Sequence, residues 1–358
     1  MTDSDDSILH DFSDQTLKVS MYDGAAEKRT MDYHGHRYMV KFGYRLDSSK
    51  LDSSRTSYAN IPVNEFIGSK VFAAAGIPTQ HVLLGTYRGQ SVVACRDFME
   101  GLDPSWRLVH FKQLEIGMPG ESGRSKARPD WEFVRHVLAD SPDLAPIRQA
   151  AWDRFRRMIC VAALIGNYDR HSNNWGYIAD GGANIVALAP VYDCGSSLMP
   201  HLSADEMRAR LDDPALMRQA NIDSPAMAMN VRGKRRKYGY FLVSDAARDI
   251  RAALPGLWDS LRDENIDRVI AGTPGLDDLH RDFYRAPLHT RKECILRPAL
   301  DLALQEARGT RQDASPSLHA LPAPDTGVQF PSTDTGMPPI LPGMHDSPVA
   351  GHGPGPSM

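Results

Sequence analysis

Residues Gly166 to Gly176 read GNYDRHSNNWG, with Asp169 five positions before Asn174. The run leaves an apolar stretch in which Trp152, Phe155, Ile159 and Ala162 recur at helical spacing. It then enters two β-prone segments, Trp175 to Ile178 and Ile185 to Ala189, joined by the turn residues Asp180-Gly181-Gly182. The returning segment delivers a second carboxylate, Asp193, in APVYDCGSSL, nineteen residues after Asn174. A hairpin of that length brings Asn174 and Asp193 close together. Kinase catalytic loops use this order: one Asp positions the attacking hydroxyl, and an Asn and a later Asp hold magnesium. Magnesium takes one or two protein oxygens and completes its shell with water and phosphate. Taken alone, the run also reads as a polar turn that satisfies its own backbone.

Working outward, a kinase needs a strand lysine against the α- and β-phosphates, paired with a helix glutamate. Lys41 lies in the alternating, β-prone segment Arg37 to Phe42, after the turn His34-Gly35-His36. Glu65 opens the next helical segment, where Val63, Phe66, Ile67, Val71 and Ala74 share a face before Gly76 and Pro78. Strands are expected at Leu17 to Met21, His81 to Tyr87 and Ser91 to Cys95. The resulting order, two strands, a helix and two strands, is that of a kinase N-lobe. Between the first two strands, Asp23 to Thr30 reads as a loop; its DGAAEK, with Gly24 and Lys28, is the candidate phosphate cover. The strand ending at Arg96 runs into Asp97 and Phe98, the candidate hinge against adenine.

The fold class is therefore α+β and bilobal: a β-rich N-lobe over residues 16–100 and a mainly helical C-lobe over 101–308. Residues 1–15 are acidic and expected to be disordered. Residues 43 to 60 read as a loop, and helices are expected at about 244–253, 257–270 and 291–307. Residues 309–358 hold ten of the 25 prolines and lack apolar periodicity, so they are expected to be disordered.

The chain has 358 residues, 42% of them apolar, and a net charge of −4. That charge gives no general attraction to nucleic acid or anionic membrane, and no direct nucleic-acid binding is expected. No apolar run approaches the ~20 residues that span a bilayer. The four cysteines are scattered without a CxxC pair, which suits a reducing compartment. The expected location is the cytoplasm, with delivery as a secreted effector the alternative. Arg232 to Lys237, RGKRRK, reads as a solvated hairpin, with contact to an acidic substrate or phosphates the alternative. The histidines His34, His36, His171 and His201 lack metal spacing, and His171 reads as packing the loop.

Together these stretches resemble the HipA-like serine/threonine kinases, and within them the short CtkA-type members. The matching segments are GAAEK (Gly24 to Lys28), YMVKF (Tyr38 to Phe42), Asn64 to Tyr87, VACRDF (Val93 to Phe98), GNYDRHSNNWGYI and LAPVYDCGSSL. The resemblance implies a two-lobed kinase-like fold related to phosphatidylinositol kinases, with ATP and Mg2+ as cofactors. It places the catalytic Asp on Asp169, the magnesium ligands on Asn174 and Asp193, and the ATP-phosphate lysine on Lys41. It implies a protein substrate with an acceptor Ser or Thr, an antitoxin partner, and action as a toxin or delivered effector. A lipid kinase and an inactive, kinase-like interaction protein are the alternatives. The regulatory serine that many HipA toxins carry upstream of the loop glycine is replaced here by Met21, beside Ser20. Arg170 is left with two roles, bracing the loop or facing the transferred phosphate.

Overall fold

The computed structural model describes residues 6–19, 28–43, 60–118, 129–223 and 226–313. Its first part is a six-stranded sheet built from β1 (His10–Asp11), β2 (Lys18–Val19), β3 (Lys28–Tyr33), β4 (His36–Phe42), β5 (Val82–Tyr87) and β6 (Gln90–Arg96), with α1 (Ile61–Ala74) between β4 and β5. The strand order is β1-β5-β6-β4-β3-β2. All pairings are antiparallel except β1 with β5.

Each strand has two faces because side chains alternate. On β4, Tyr38 and Val40 join Phe12, Met31, Leu83, Val92 and Ala94 in one buried layer. Met39 points the other way, into the layer of Phe66, Val82, Leu84, Val93 and Cys95 beneath α1. Lys41 shares the parity of Met39, so β4 aims it at α1.

Three expectations for this region need correction. Residues 6–15 are ordered: β1 pairs parallel with β5, His10 opposite Gly85, and Phe12 is fully buried. The acidic composition hid one aromatic anchor, which fits because Gly85 has no side chain; a Cβ there would lie 2.5 Å from Phe12 Cε2. The loop expected to run to Thr30 ends earlier, since Lys28 already belongs to β3. The sheet also has four strands before the helix rather than two. The turn at His34-Gly35 is as expected, with φ of 49° and 81°. The expected loop at 43 to 60 falls outside the described residues from 44 to 59.

The later portion is largely helical. It begins with β7 (Arg107–His110), α2 (Phe111–Gly117), α3 (Trp131–Asp140), a 3-10 turn (Pro142–Ile147) and α4 (Arg148–Ile165). After the Gly166 run come β8 (Gly176–Ala179) and β9 (Ile185–Leu188), and β7 adds a third strand to their hairpin. Then follow α5 (Ala204–Asp212), α6 (Pro214–Asp223), the hairpin β10 (Ala226–Val231) and β11 (Lys234–Lys237), and α7 (Tyr238–Leu242). The expected helix at 244–253 is broken into a 3-10 turn (Asp245–Ala247) and α8 (Arg248–Arg251), and α9 (Leu254–Trp258) follows it. The chain closes with α10 (Asp263–Ala271), α11 (Asp278–Arg291), a π-turn (Lys292–Leu296) and α12 (Arg297–Asp313). Helix therefore continues through residues 309–313, into the segment expected to be disordered. One large core unites these helices with α1 through Ile67, Val71 and Phe72, and α4 lies within it, buried from Met158 to Ile165. Among the described residues no helix is long and apolar enough to cross a membrane.

Candidate active site

The sheet, α1 and the segment after β9 meet at three charged side chains. Lys41 Nζ donates to Glu65 Oε2 at 2.9 Å and to Asp193 Oδ1 at 3.0 Å. Glu65 is fully buried on α1, and its carboxylate accepts two further bonds, from Cys194 N at 2.8 Å and Gly195 N at 2.9 Å. One glutamate thus ties the strand lysine to the backbone that follows Asp193.

Close approach makes this possible. A Cβ on Gly68 would lie 2.7 Å from Cys194 Cβ, and one on Gly195 would lie 2.9 Å from Ile61 Cγ2. Asp193 itself has φ of +60°, the left-handed region that side chains disfavour.

The charges support one another. Burial works against the Lys41 ammonium, but the Asp193 and Glu65 carboxylates hold its pKa well above the usual amine range. Burial likewise pushes the Asp193 carboxyl up, yet Lys41 prevails and brings it down to about 2. Lys28 sits directly opposite Lys41 across β3 and β4, and burial together with that like charge lowers its pKa. Lys41 thus contacts the Asp193 carboxylate, and the Lys28 charge adds to the same field.

The catalytic-loop candidate is held from its inner side. α4 ends at Gly166 in the left-handed conformation, φ 66°, over the Arg291 guanidinium. Asn167 is fully buried; its Oδ1 accepts from Asp169 N at 2.9 Å and its Nδ2 donates to Asp193 O at 3.4 Å. Tyr238 Oη donates to Asn167 O at 2.7 Å. Arg170 is buried and donates to Asn174 O at 2.7 Å, to Tyr192 O, and to Cys194 Sγ at 3.3 Å. Of the two roles left open for Arg170, this geometry supports bracing the loop. The guanidinium clamps the two backbone segments that carry Asn174 and Asp193.

The acidic side chains open outward. The Asp169 side chain is 46% exposed, with His171 Nε2 at 3.7 Å, and that of Asp193 is 37% exposed. His171 Nδ1 also accepts from Asn173 N, so this residue packs the loop as expected. Asn174 Nδ2 donates to Asp169 O at 2.8 Å, which turns its Oδ1 away from the loop backbone.

At the hinge the two candidates separate. Asp97 is used within the protein: its N–H donates to Arg37 O at 2.8 Å, and its carboxylate accepts from Met99 N and Arg37. Phe98 stacks on Tyr192, the residue before Asp193, with ring centroids 5.8 Å apart. Gly24 lies outside the described residues. Sequence reading missed Asn167, Tyr192 and Tyr238. An Asn two residues before a loop Asp is itself a turn signal; Tyr238, 71 residues from Asn167, offered none.

The residues present fit magnesium in the manner of a nucleotide site. Among the described residues no cluster of three or more His, Cys, Asp or Glu could cage a metal. Asp193 and Asn174 could supply the one or two oxygens that magnesium takes when phosphates complete its shell.

The class is that of the kinases. Residues 19–273 match the family described as HipA-like C-terminal domain, and the chain belongs to that family. Among curated proteins it is similar to the serine/threonine-protein kinase CtkA of Helicobacter pylori, 27% identical over 296 residues that cover 78% of this chain and 84% of the relative. The crystal structure of the H. pylori proinflammatory kinase CtkA matches with a TM-score of 0.75 at 25% identity, over 84% of this chain and 99% of that one. A chain from the Shewanella oneidensis complex of HipA, HipB and operator DNA is more distant, with a TM-score of 0.49 and 16% identity, over 79% of this chain and 69% of that one.

Proposed function

We propose that this protein is an ATP- and magnesium-dependent serine/threonine protein kinase, with nucleotide bound between the sheet and the helical portion. The observation that carries the reading is the Lys41 ammonium, buried between Glu65 and Asp193 at 2.9 and 3.0 Å. A lysine held charged by two carboxylates, one of them opening to the cleft, is suited to polyphosphate. Lys41 and Lys28 would face the phosphates. Asp169 would orient the substrate hydroxyl in line with the γ-phosphate. Asn174 and Asp193 would hold magnesium, which when bound neutralises phosphate charge. Phosphoryl transfer needs little covalent help, so positioning and electrostatics supply most of the catalysis.

The test is transfer of labelled γ-phosphate from ATP in cell lysate, with protein and lipid products separated. Asp169→Asn and Asp193→Ala should each lower transfer by roughly 100-fold or more while circular dichroism shows both proteins folded. Undiminished transfer in either variant overturns the mechanism, and label confined to lipid overturns the acceptor class. A toxin or effector role and an antitoxin partner rest on family resemblance. Growth arrest on expression, relieved by a co-purifying partner, tests both.

A further inference from the structure

The hairpin β10–β11 carries the strongest local charge on the molecule, and the site described above does not use it. It is a built element. Met227, Met229 and Val231 of β10 are buried in the main core. Asn230 N donates to Pro129 O at 2.9 Å, and Gly233 N donates to Asp130 Oδ2 at 2.5 Å, which fixes the turn. β11 is KRRK, with Lys234, Arg235 and Arg236 exposed, and Arg232 exposed at the turn.

Among the described residues part of its charge lacks an ion-pair partner. Arg235 leans back and donates from Nε to Met227 O. Among the described residues Arg232, Lys234 and Arg236 form no ion pair. Three arginines elsewhere do sit a helical turn from a carboxylate: Arg208 by Asp205 at 2.8 Å, Arg281 by Asp278 at 3.1 Å, Arg285 by Asp282 at 3.2 Å. A chain of net charge −4 thus keeps one short strand positive. The sheet has only two strands, so the outer edge of β11 pairs with no other strand among the described residues. β11 runs without a break into Tyr238, whose hydroxyl holds Asn167 O, two residues before Asp169. Its C-terminal end is therefore one tyrosine side chain away from the inner side of the candidate catalytic loop.

We propose that β11 is a docking strand for an acidic stretch of the protein substrate, added in extended conformation along its open edge beside the Asp169 loop. The inference rests on the kinase reading for the identity of the bound peptide as substrate. An open edge offers backbone groups for strand addition, and alternate side chains supply specificity. Lys234 and Arg236 share one side of the strand and meet acidic residues two apart in the incoming peptide. Single-stranded nucleic acid would call for aromatic platforms, and Val231 to Lys237 contains none. A lipid surface would call for an apolar face beside the charges, and KRRK has no apolar residue.

The experiment uses the full chain. Fluorescent serine peptides flanked by blocks of Glu, Gln or Lys are titrated by anisotropy into the Asp169→Asn protein, and then into the same protein carrying Lys234→Glu/Arg236→Glu. A milder Lys234→Gln/Arg236→Gln pair guards against misfolding, and Arg208→Glu/Arg281→Glu, an equal change in charge, controls for net charge. The Glu peptide should bind roughly tenfold tighter than the Gln peptide, with the preference weakened by salt and abolished by charge reversal. In the active enzyme, reversal should raise the peptide KM and leave kcat and the ATP KM unchanged. Equal binding of the three peptides, or indifference to reversal, overturns the docking strand. So does a reversal-sensitive preference for phosphatidylserine vesicles or oligo-dT with peptides bound alike. Phosphate transfer without acidic preference would sink this inference and spare the kinase reading. Acidic-peptide binding lost on reversal, in a protein that transfers no phosphate, would do the opposite.

Discussion

Glu65→Gln tests whether the glutamate serves Lys41 alone or also the backbone after Asp193. The native carboxylate has three donors around two oxygens: Lys41 Nζ and Gly195 N on Oε2, Cys194 N on Oε1. Glutamine has one acceptor oxygen. Its best orientation keeps that oxygen toward Lys41 and Gly195 and sets the NH2 group against the Cys194 N–H. One charge-assisted bond is lost, worth about 1.5–3 kcal/mol, and a buried N–H is left facing a donor, which costs about 1–3 kcal/mol more. Lys41 keeps Asp193 as its counter-charge, so the loss should fall at the lower end of that sum, about 3 kcal/mol.

Urea unfolding of wild type, Glu65→Gln, Lys41→Met and the double variant separates the two roles. If Glu65 only paired Lys41, its neutralisation in the Lys41→Met background would be neutral or stabilising, because it would remove an unpaired buried charge. If the amide bonds matter, Glu65→Gln should still cost about 1.5 kcal/mol or more in that background. Hydrogen exchange gives a second readout. The peptide containing the Cys194 and Gly195 amides should exchange faster in Glu65→Gln and stay protected in Lys41→Met. A loss below about 0.5 kcal/mol, or one that vanishes with Lys41 gone, would refute the argument, since the lost bond alone is worth more.

Gly68→Ala forces a Cβ to within 2.7 Å of Cys194 Cβ and should cost about 1–3 kcal/mol by overpacking; Cys194→Gly in the same protein should restore stability, measured by urea unfolding. The Asp193 carboxyl is depressed to about 2 from its usual 3.8, so its stabilisation is complete above about pH 4 and disappears as pH falls through about 2. The melting difference between wild type and Asp193→Asn should accordingly be flat from pH 5 to 8 and shrink below pH 4. Phe12→Ala should cost about 3–5 kcal/mol, because the ring is fully buried against the sheet and packs on His10 and Tyr33; near-wild-type stability would show that residues 6–15 do not belong to the fold.

The parts legible in the sequence depend on short-range periodicity. Strand alternation around Lys41 and helical spacing around Glu65 predict which faces carry them, and the two faces meet. The hairpin after Asn174 likewise predicts the return of Asp193. What escaped depends on single long-range contacts. β1 is two residues of an acidic segment, placed because Phe12 finds a site over Gly85, and composition averages such an anchor away. β7 was overlooked because four residues, RLVH, acquire strand pairing only from β8. Asp97 stood at the end of a strand facing the cleft, but its carboxylate was captured by Arg37 and by the Met99 amide, a local turn that competes with any ligand.

The polar turn and the phosphotransfer site remain rival readings of GNYDRHSNNWG until the inner and outer groups are told apart. A turn built only for stability would satisfy its side chains on its own backbone. Asn167 does that with the Asp169 amide. Arg170 reaches across the fold, to Tyr192 O and Cys194 Sγ, and fixes a segment 22 residues away. The decisive residue is Asp193. At φ +60° glycine would sit there without steric conflict, and an aspartate is held in a conformation that commonly costs about 1 kcal/mol or more. Its carboxylate is 37% exposed and stays ionised beside Lys41. Stability alone does not favour that backbone conformation at a non-glycine residue. The two amide bonds from Cys194 and Gly195 to Glu65 offset the strain and leave the carboxylate facing both Lys41 and the cleft. A fold that accepts strain at one position and braces it from a helix on the opposite side is organised around where that carboxylate points.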